Sequence, residues 1–155
     1  KKSNSNIKLS SDFIIGYPGE TQSDFEKTLS LIKKVKFINS YSYIFSPRPG
    51  TPSFNLDIIN NKLAKERLNT FQNLSQKIKK EYRNSLLMKN MSVLFENKTQ
   101  DKDQYFGRDE YFNSVIVKSN ENLTGKIKKV KITRVSQNTL FGVINSKLIR
   151  KDFAA

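Results

Sequence analysis

The pattern of apolar and polar residues changes once along this chain, near Leu87. Before that point, apolar runs end abruptly in Gly and Pro, at residues 16–20 and again at 46–52. This pattern is typical of a buried strand that delivers a rigid loop to one end of a parallel sheet. Because ligands of such folds bind at the carboxyl ends of strands, both loops are candidate binding loops.

The first part of the chain predicts a β-α-β unit. Residues 7–15 are expected to form a strand whose end is buried on both faces. Thr21 and Asp24 have the spacing of a capping box, and the apolar spacing that follows predicts a helix over 22–36. The aromatic and β-branched run 41–45 predicts a second strand, stopped by Pro47. The two strands should be parallel, with a right-handed crossover.

A long helix is predicted over residues 61–86, after a loop over 51–60. Its apolar residues recur every three or four positions, whereas Lys and Arg fill the opposite face. We interpret the apolar stripe as a packing surface. The change of pattern near Leu87 then predicts two domains, over residues 1–86 and 87–150.

The second domain is predicted to be a small antiparallel β-barrel. Short β-prone runs occur at 91–95, 105–107, 114–117, 126–135 and 139–144, separated by polar turns. Ile127 does not share the parity of Val130 and Ile132, so we expect a β-bulge near Lys128 and Lys129. The predicted fold class is therefore α/β followed by all-β.

Composition limits the chemistry that this chain can perform. The 155 residues include no Cys and no His, which removes thiolate clusters, the commonest metal ligand and the usual general base. We therefore assign no metal ligand and no catalytic residue. No apolar stretch approaches the ~20 residues of a membrane span. We expect a cytoplasmic protein without a membrane partner.

The charge balance favours a polyanionic partner. Lys and Arg number 28 against 14 Asp and Glu, a formal charge of +14, and nucleic acid is the partner that such an excess suits best. A solubilising surface and a membrane surface are the alternatives. Tyr105, Phe106 and Phe112 are candidates for stacking unpaired bases. The candidate RNA-binding cations of the second domain are Arg108, Lys118, Lys126, Lys129, Lys131 and Arg134.

Each of these lysines also has a simpler interpretation, as the solvent-facing side of a strand that alternates with Val and Ile. Arg48 is a separate candidate. Pro47 and Pro49 fix the backbone on either side of it, and a stiffened arginine at a strand end suits a phosphate or carboxylate ligand. The alternative is a salt bridge between Arg48 and the rim of the sheet.

With these motifs placed, residues 7–144 resemble the radical S-adenosylmethionine methylthiotransferases, in the tRNA branch of MiaB type. Residues 11–20 resemble the family's late barrel strand and turn, 46–52 the loop after the last barrel strand, and 65–68 the start of the exit helix. Gly107, Arg108 and Asn113 resemble the carboxy-terminal TRAM module, an RNA-binding β-barrel. The intact Pro-Arg-Pro-Gly-Thr run favours the branch acting on isopentenyladenosine.

The resemblance implies a carboxy-terminal fragment of a longer enzyme that inserts sulfur and adds a methyl group at an adenosine beside the tRNA anticodon. S-adenosylmethionine and two 4Fe-4S clusters are the implied cofactors, and the cluster cysteines are absent from this chain. The implied partners are the tRNA anticodon stem-loop and the missing amino-terminal domains. The residues that the resemblance places along S-adenosylmethionine are Gly16, Pro18, Gly19, Glu20 and Ser46.

Three alternatives stay open. Glu20 has a purely structural interpretation, because an acidic residue is favourable near the amino terminus of a helix. The chain as a whole could be a stand-alone, non-catalytic RNA-binding module. A sibling enzyme acting on threonylcarbamoyl-adenosine differs from the first interpretation in substrate only.

Overall fold

The computed structural model describes residues 6–145 and divides into two compact units, with the division between Tyr82 and Arg83. The first unit contains β1 (Ser10–Ile15), α1 (Gln22–Val35), β2 (Asn39–Ile44), a 3-10 turn (Pro52–Asn55) and most of α2 (Asn61–Asn84). The second contains β3 (Asn90–Lys98), β4 (Gln104–Asp109), β5 (Ser114–Lys118), β6 (Ile127–Val135) and β7 (Leu140–Ile144). The predicted α/β plus all-β fold class is confirmed.

The predicted β-α-β unit with parallel strands is present, and the right-handed crossover stays a prediction. Strands β1 and β2 pair in parallel, from Ser10 opposite Asn39 to the pair at their other end. The Thr21 hydroxyl accepts a hydrogen bond from the Asp24 N–H at 3.2 Å, and the Asp24 carboxylate accepts one from the Thr21 N–H at 3.3 Å. This reciprocal capping box satisfies two backbone donors at the start of α1. The helix ends at Val35, and its C-cap residue, Lys36, has a left-handed φ of 56°.

Only one face of the two-stranded sheet is covered. Both helices pack against the face that carries Phe13 and Ile15, in a core of Ile15, Phe25, Ile32, Phe71 and Ile78. On the other face Ile14, Tyr41 and Tyr43 are exposed by 60%, 55% and 59%. The expectation that β1 ends buried on both faces is therefore wrong. Side chains alternate along a strand, and both helices contribute to the same core.

Helix α2 buries its apolar stripe, as predicted, at Ala64, Phe71 and Ile78. It ends at Asn84, two residues before the predicted end. Its polar outer face is typical of a helix that packs on one side only. Within residues 6–145, no helix has the length and apolar character needed to cross a bilayer.

The five strands of the second unit close into a barrel in the order β3-β4-β5-β7-β6, with β6 returning to pair with β3. The prediction that every pairing is antiparallel is wrong for one of them, because β5 and β7 run parallel. A ring with an odd number of strands cannot alternate direction at every step, so one neighbouring pair must run the same way. Closure leaves no unpaired strand edge in the barrel.

Two glycines allow the barrel strands to approach closely. A Cβ on Gly107 would collide with the Leu94 carbonyl oxygen and lie 2.9 Å from Phe95 Cα. A Cβ on Gly142 would collide with the Val130 side chain. Glycine is required at both places because backbone or packed side chain fills the space. The inward side chains nearby include Val93, Phe95, Val115, Val117, Val130, Ile132 and Leu140.

The β-bulge expected near Lys128 and Lys129 is wrong. Lys128 pairs with Val93 and Lys129 with Ser92 in an unbroken register between β6 and β3. Lys128 therefore keeps the parity of the inward residues, and Ile127 faces solvent with 68% of its surface exposed. The strand tolerates one exposed apolar side chain more readily than a broken hydrogen-bond ladder at this point.

Candidate nucleic-acid interface and candidate cofactor loops

The turn after β1 is locked by its own side chains. Gly16 has a φ of 74°, and its N–H donates to Glu20 Oε2 at 3.1 Å. The other carboxylate oxygen of Glu20 accepts from Arg67 Nη1 at 2.6 Å. A Cβ on Gly16 would also lie 3.1 Å from the Cβ of Ala64. Glycine is thus required here by both the positive φ and the close approach of α2.

Arg67 holds this turn from α2, where it is 5% exposed. Its Nη1 also donates to the Glu20 carbonyl oxygen at 3.0 Å, and Nη2 to Gln22 Oε1 at 3.4 Å. The guanidinium lies 5.4 Å from the centroid of the Phe25 ring. Because both carboxylate oxygens of Glu20 are engaged within the chain, these contacts favour the structural interpretation of this residue.

The two candidate loops emerge at the same edge of the sheet. The Phe45 N–H donates to the Ile15 carbonyl oxygen at 2.9 Å, and the Tyr17 and Phe45 rings meet edge to face at 5.0 Å. Gly19 and Ser46 are exposed, and Pro18 is half-buried. The cofactor assignment of these residues stays a prediction. The Tyr17–Phe45 contact, which joins the loops, was missed because it needs both strand ends in register.

Arg48 is exposed at the tip of its loop. Its carbonyl oxygen accepts from the Thr51 N–H at 3.2 Å and from the Thr51 hydroxyl at 2.8 Å, which closes a tight turn. Among the ion pairs of residues 6–145, none involves Arg48. The alternative salt bridge to the sheet rim is therefore not formed with any described carboxylate.

An outward-facing row of side chains crosses four strands of the barrel. Phe106 on β4 pairs with Ile116 on β5, which pairs with Phe141 on β7, which pairs with Arg134 on β6. A register shift between Ile132 and Arg134 brings Arg134 opposite Phe141. The row is an apolar and aromatic surface with a cation at one end.

Each phenylalanine of this row carries an arginine. Arg134 Cζ lies 3.5 Å from the Phe141 ring centroid, and Arg108 Cζ lies 5.3 Å from that of Phe106. Arg108 also forms an ion pair with Glu96, with Nε 3.1 Å from Oε1 and both side chains about two-fifths exposed. A guanidinium stacked on a ring keeps its N–H edge available for bidentate contact with phosphate.

The predicted lysines divide by position. Lys118 is exposed at the end of β5 opposite Gln104, and Lys131 lies on β6 opposite Val143, which is exposed. Lys129 faces outward on β6 beside β3. Lys126 is exposed just before β6. No acidic residue occurs between 126 and 145, so β6 and β7 present a cationic surface.

The turn between β4 and β5 presents Phe112 to solvent. The buried Asp109 carboxylate accepts from the N–H groups of Tyr111 and Asn113 at 2.8 and 2.9 Å, and from Asn113 Nδ2 at 2.8 Å. Phe112 lies in the left-handed region, with a φ of 60°, and 75% of its surface is exposed.

The aromatic candidates separate clearly in the structure. Tyr105 is 6% exposed and belongs to the barrel core, so a stacking role for it is wrong. Phe106 and Phe112 remain on the surface. Phe141 was missed by the sequence analysis, although the alternation from Leu140 to Gly142 around it marks its side chain as outward.

The fold and the family comparison define the second unit as a TRAM domain, because residues 77–144 match the family model described as "TRAM domain". Over 153 residues the chain is 48% identical to the tRNA-2-methylthio-N(6)-dimethylallyladenosine synthase of Pelagibacter ubique, covering 97% of this chain and 34% of that protein. The proteins of the same name from Rickettsia bellii and Wolbachia pipientis are 41% identical over 146 residues and 40% over 139. They are matched over 33% and 32% of their length, and over 93% and 88% of this chain.

The chain thus corresponds to the carboxy-terminal part of the MiaB-type methylthiotransferase family, as the resemblance implied. It spans about one third of the length of these relatives. Thiolates are the ligands that hold 4Fe-4S clusters, and the chain has no cysteine. The residues present therefore do not fit a cluster.

Proposed function

We propose that this chain is the RNA-holding part of a radical S-adenosylmethionine tRNA methylthiotransferase. In the full-length enzyme the barrel would bind the tRNA anticodon stem-loop, while sulfur insertion and methylation of isopentenyladenosine take place elsewhere. The similarity to enzymes named for this product supports the proposal. So does the TRAM match over the barrel.

The observation that carries the RNA-binding role is the outer face of β4, β5, β7 and β6. Stacked arginines lie on Phe106 and Phe141, and Lys118 and Lys131 lie on the same face. Cations placed among apolar rings suit a polynucleotide, because the cations can pair with its phosphates and its bases can stack on the rings. Stacking also pre-orders each arginine, which lowers the entropy lost when it binds phosphate.

The first unit supports a second part of the proposal. The uncovered face of the β1–β2 sheet, with Ile14, Tyr41 and Tyr43 exposed, leads directly to the two loops at its carboxyl edge. An apolar sheet face of this kind is normally covered in a parallel fold. We propose that it forms part of the wall along S-adenosylmethionine, together with Gly16, Pro18, Gly19 and Ser46, while Glu20 holds the turn through Arg67.

Salt-dependent binding of an anticodon stem-loop RNA tests the RNA-binding role. Phosphate contacts release counterions, so the logarithm of the affinity should fall linearly with the logarithm of the salt concentration. Arg108→Gln and Arg134→Gln should each reduce that slope by about 0.7–0.9. Lys33→Gln, an exposed residue of α1 in the other unit, is the matched control and should leave the slope unchanged. Affinity that does not vary between low and moderate salt would contradict the proposal.

A stand-alone RNA-binding module is the second candidate. The barrel closes on itself, so RNA binding by this unit does not require further strands. The genomic reading frame separates the two, because a Cys-rich segment running into Lys1 supports the enzyme, and an initiator Met directly before Lys1 supports the module.

In either case we predict that the isolated chain does not cleave S-adenosylmethionine, which an assay for 5′-deoxyadenosine checks. The alternative of the sibling enzyme is tested by comparing the affinity for stem-loops that carry isopentenyladenosine with the affinity for stem-loops that carry threonylcarbamoyl-adenosine.

A further inference from the structure

We infer that Phe112 is a stacking site for one unpaired base, at the end of the barrel where the β4–β5 turn lies. This inference rests on the proposed RNA-binding function and names the part of the RNA that one residue of the barrel takes. Phosphate contacts alone would not distinguish a paired stem from an unpaired loop. A free aromatic ring does, because only an unstacked base can lie on it.

The backbone around Phe112 is fixed without help from its side chain. The Phe112 N–H donates to the Asp109 carbonyl oxygen at 3.0 Å, and the buried Asp109 carboxylate anchors the residues on both sides. A bulky residue with a positive φ is uncommon and strained. The turn thus holds an aromatic residue in a conformation that glycine would adopt more easily, and exposes 75% of its surface to water.

Strand topology places this turn beside a second one. Because β5 and β7 run parallel, with Val115 opposite Leu140, the β4–β5 turn and the β6–β7 turn lie at the same end of the barrel. The second turn is held by Arg83, whose guanidinium donates to the carbonyl oxygens of three of its four residues, Ser136, Gln137 and Asn138, at 3.2, 2.7 and 3.1 Å. Both turns at this end of the barrel are therefore held by a buried charged side chain, Asp109 in one and Arg83 in the other.

Cations lie next to this end of the barrel. Arg108 is the next-to-last residue of β4, opposite Ser114, and Arg134 is the next-to-last residue of β6. A nucleotide whose base stacks on Phe112 has its phosphates within reach of a cationic strand end, which is the arrangement that single-stranded RNA sites combine. Phe112 is the most exposed aromatic residue described in the barrel, and neither arginine that stacks on a ring there stacks on Phe112.

The test compares a stem-loop RNA with a fully paired duplex of the same stem, using the full 155-residue chain. Phe112→Ala should weaken stem-loop binding by about 5- to 100-fold and leave duplex binding unchanged, because base–aromatic stacking is lost. The salt slope should stay the same, since no charge changes. Phe112→Trp should retain the affinity. Ile127→Ala, which removes an equally exposed apolar side chain from the barrel, is the control and should change neither RNA.

Phe112→Gly excludes an effect through folding. Glycine relieves the strain at positive φ, so its thermal unfolding midpoint should be unchanged or higher, while stem-loop affinity falls as in Phe112→Ala. If the Phe112 variants bind the stem-loop normally and Arg108→Gln does not, the stacking site is refuted and the RNA-binding function stands. Equal losses for stem-loop and duplex also refute it. A wild-type chain that binds neither RNA overturns both proposals.

Discussion

The β1–β2 sheet and the barrel differ in whether their strand edges are paired and their apolar faces are covered. The barrel closes, so each of its strands has two neighbours, and its core side chains point inward. Among residues 6–145, no strand pairs with the outer edges of the β1–β2 sheet and nothing covers its second face, where Ile14, Tyr41 and Tyr43 are exposed. Exposed edges and apolar faces are normally covered in a native fold.

This difference shows where each unit places the side chains that are available for binding and those that stabilise the fold. The barrel places its cations and two of its phenylalanines outside a self-sufficient core, on a surface open to a polynucleotide. The first unit, by contrast, contains a largely buried ion pair, Glu20–Arg67, which locks the turn beside the uncovered face. Damage to that pair should therefore affect folding of the first unit, whereas charge changes on the barrel should affect binding.

The largest effect is expected from Arg67→Met. It leaves the Glu20 carboxylate, which is 11% exposed, without its cationic partner, and breaking a buried pair from one side costs about 3–5 kcal/mol. Amide hydrogen exchange should show lost protection in β1 and α1 and unchanged protection in the barrel. The double variant Glu20→Gln with Arg67→Met should recover part of the loss. Equal loss of protection in both units would contradict this separation.

A somewhat smaller effect is expected from Gly107→Ala, which acts on the other side of the comparison. The added methyl group meets the backbone of β3, and overpacking costs about 1–3 kcal/mol. Hydrogen exchange should increase in β3 and β4 only. Leu94→Ala, at an exposed position on the same strand pair, is the control and should change the unfolding free energy by less than about 0.5 kcal/mol.

Glu96→Gln should strengthen RNA binding without changing the fold. It releases Arg108 from an exposed ion pair worth about 0.2–1 kcal/mol, so stem-loop affinity should rise by about 1.5- to 5-fold. Glu66→Gln, an exposed change of the same charge on α2, is the control and should give a smaller rise. Equal effects of the two variants would show that only net charge matters.

The smallest effect concerns pH. A hydrogen bond from the Thr21 side chain, and then one from Lys27, lower the pKa of Asp24 from its ordinary value of 3.8 to about 2. A carboxylate with a lowered pKa stabilises the folded state above pH 3.8 and loses that contribution as the pH falls toward 2. Urea midpoints of the wild type and Asp24→Asn should therefore differ at pH 5 and converge near pH 2. Asp57→Asn, at an exposed position, is the control. If the urea midpoints of the wild type and Asp24→Asn differ by the same amount at pH 5 and near pH 2, the lowered pKa of Asp24 is contradicted.

Local patterns were sufficient for much of the fold. The capping box at Thr21 and Asp24, the apolar stripe of α2 and the alternation in the barrel strands each depend on residues a few positions apart. Interactions of this kind can be predicted from the sequence, because the residues that form them are close together in the chain. The same local pattern led to the error at Lys128 and Lys129, because parity alone does not show whether a strand bulges or simply exposes one apolar residue.

Contacts between distant residues needed the tertiary structure. Glu20 and Arg67 are 47 positions apart, and no periodicity links them. Burial of Tyr105 and exposure of Phe106 depend on which side of β4 faces the barrel interior, and closure of the ring decided that.

The sequence by itself determined the order of strands and helices, the cationic balance, the absence of thiolate ligands and the resemblance that the comparisons confirmed. Only the tertiary structure decided that one sheet face stays open, that one barrel pairing is parallel, and that Arg134 stacks on Phe141. Local propensity acts over a few residues, whereas burial, strand closure and ion pairing depend on where distant segments meet. The candidate RNA surface also depended on the tertiary structure. The outward-facing row of side chains that forms it crosses four strands of the barrel, so residues that are far apart in the sequence must come together.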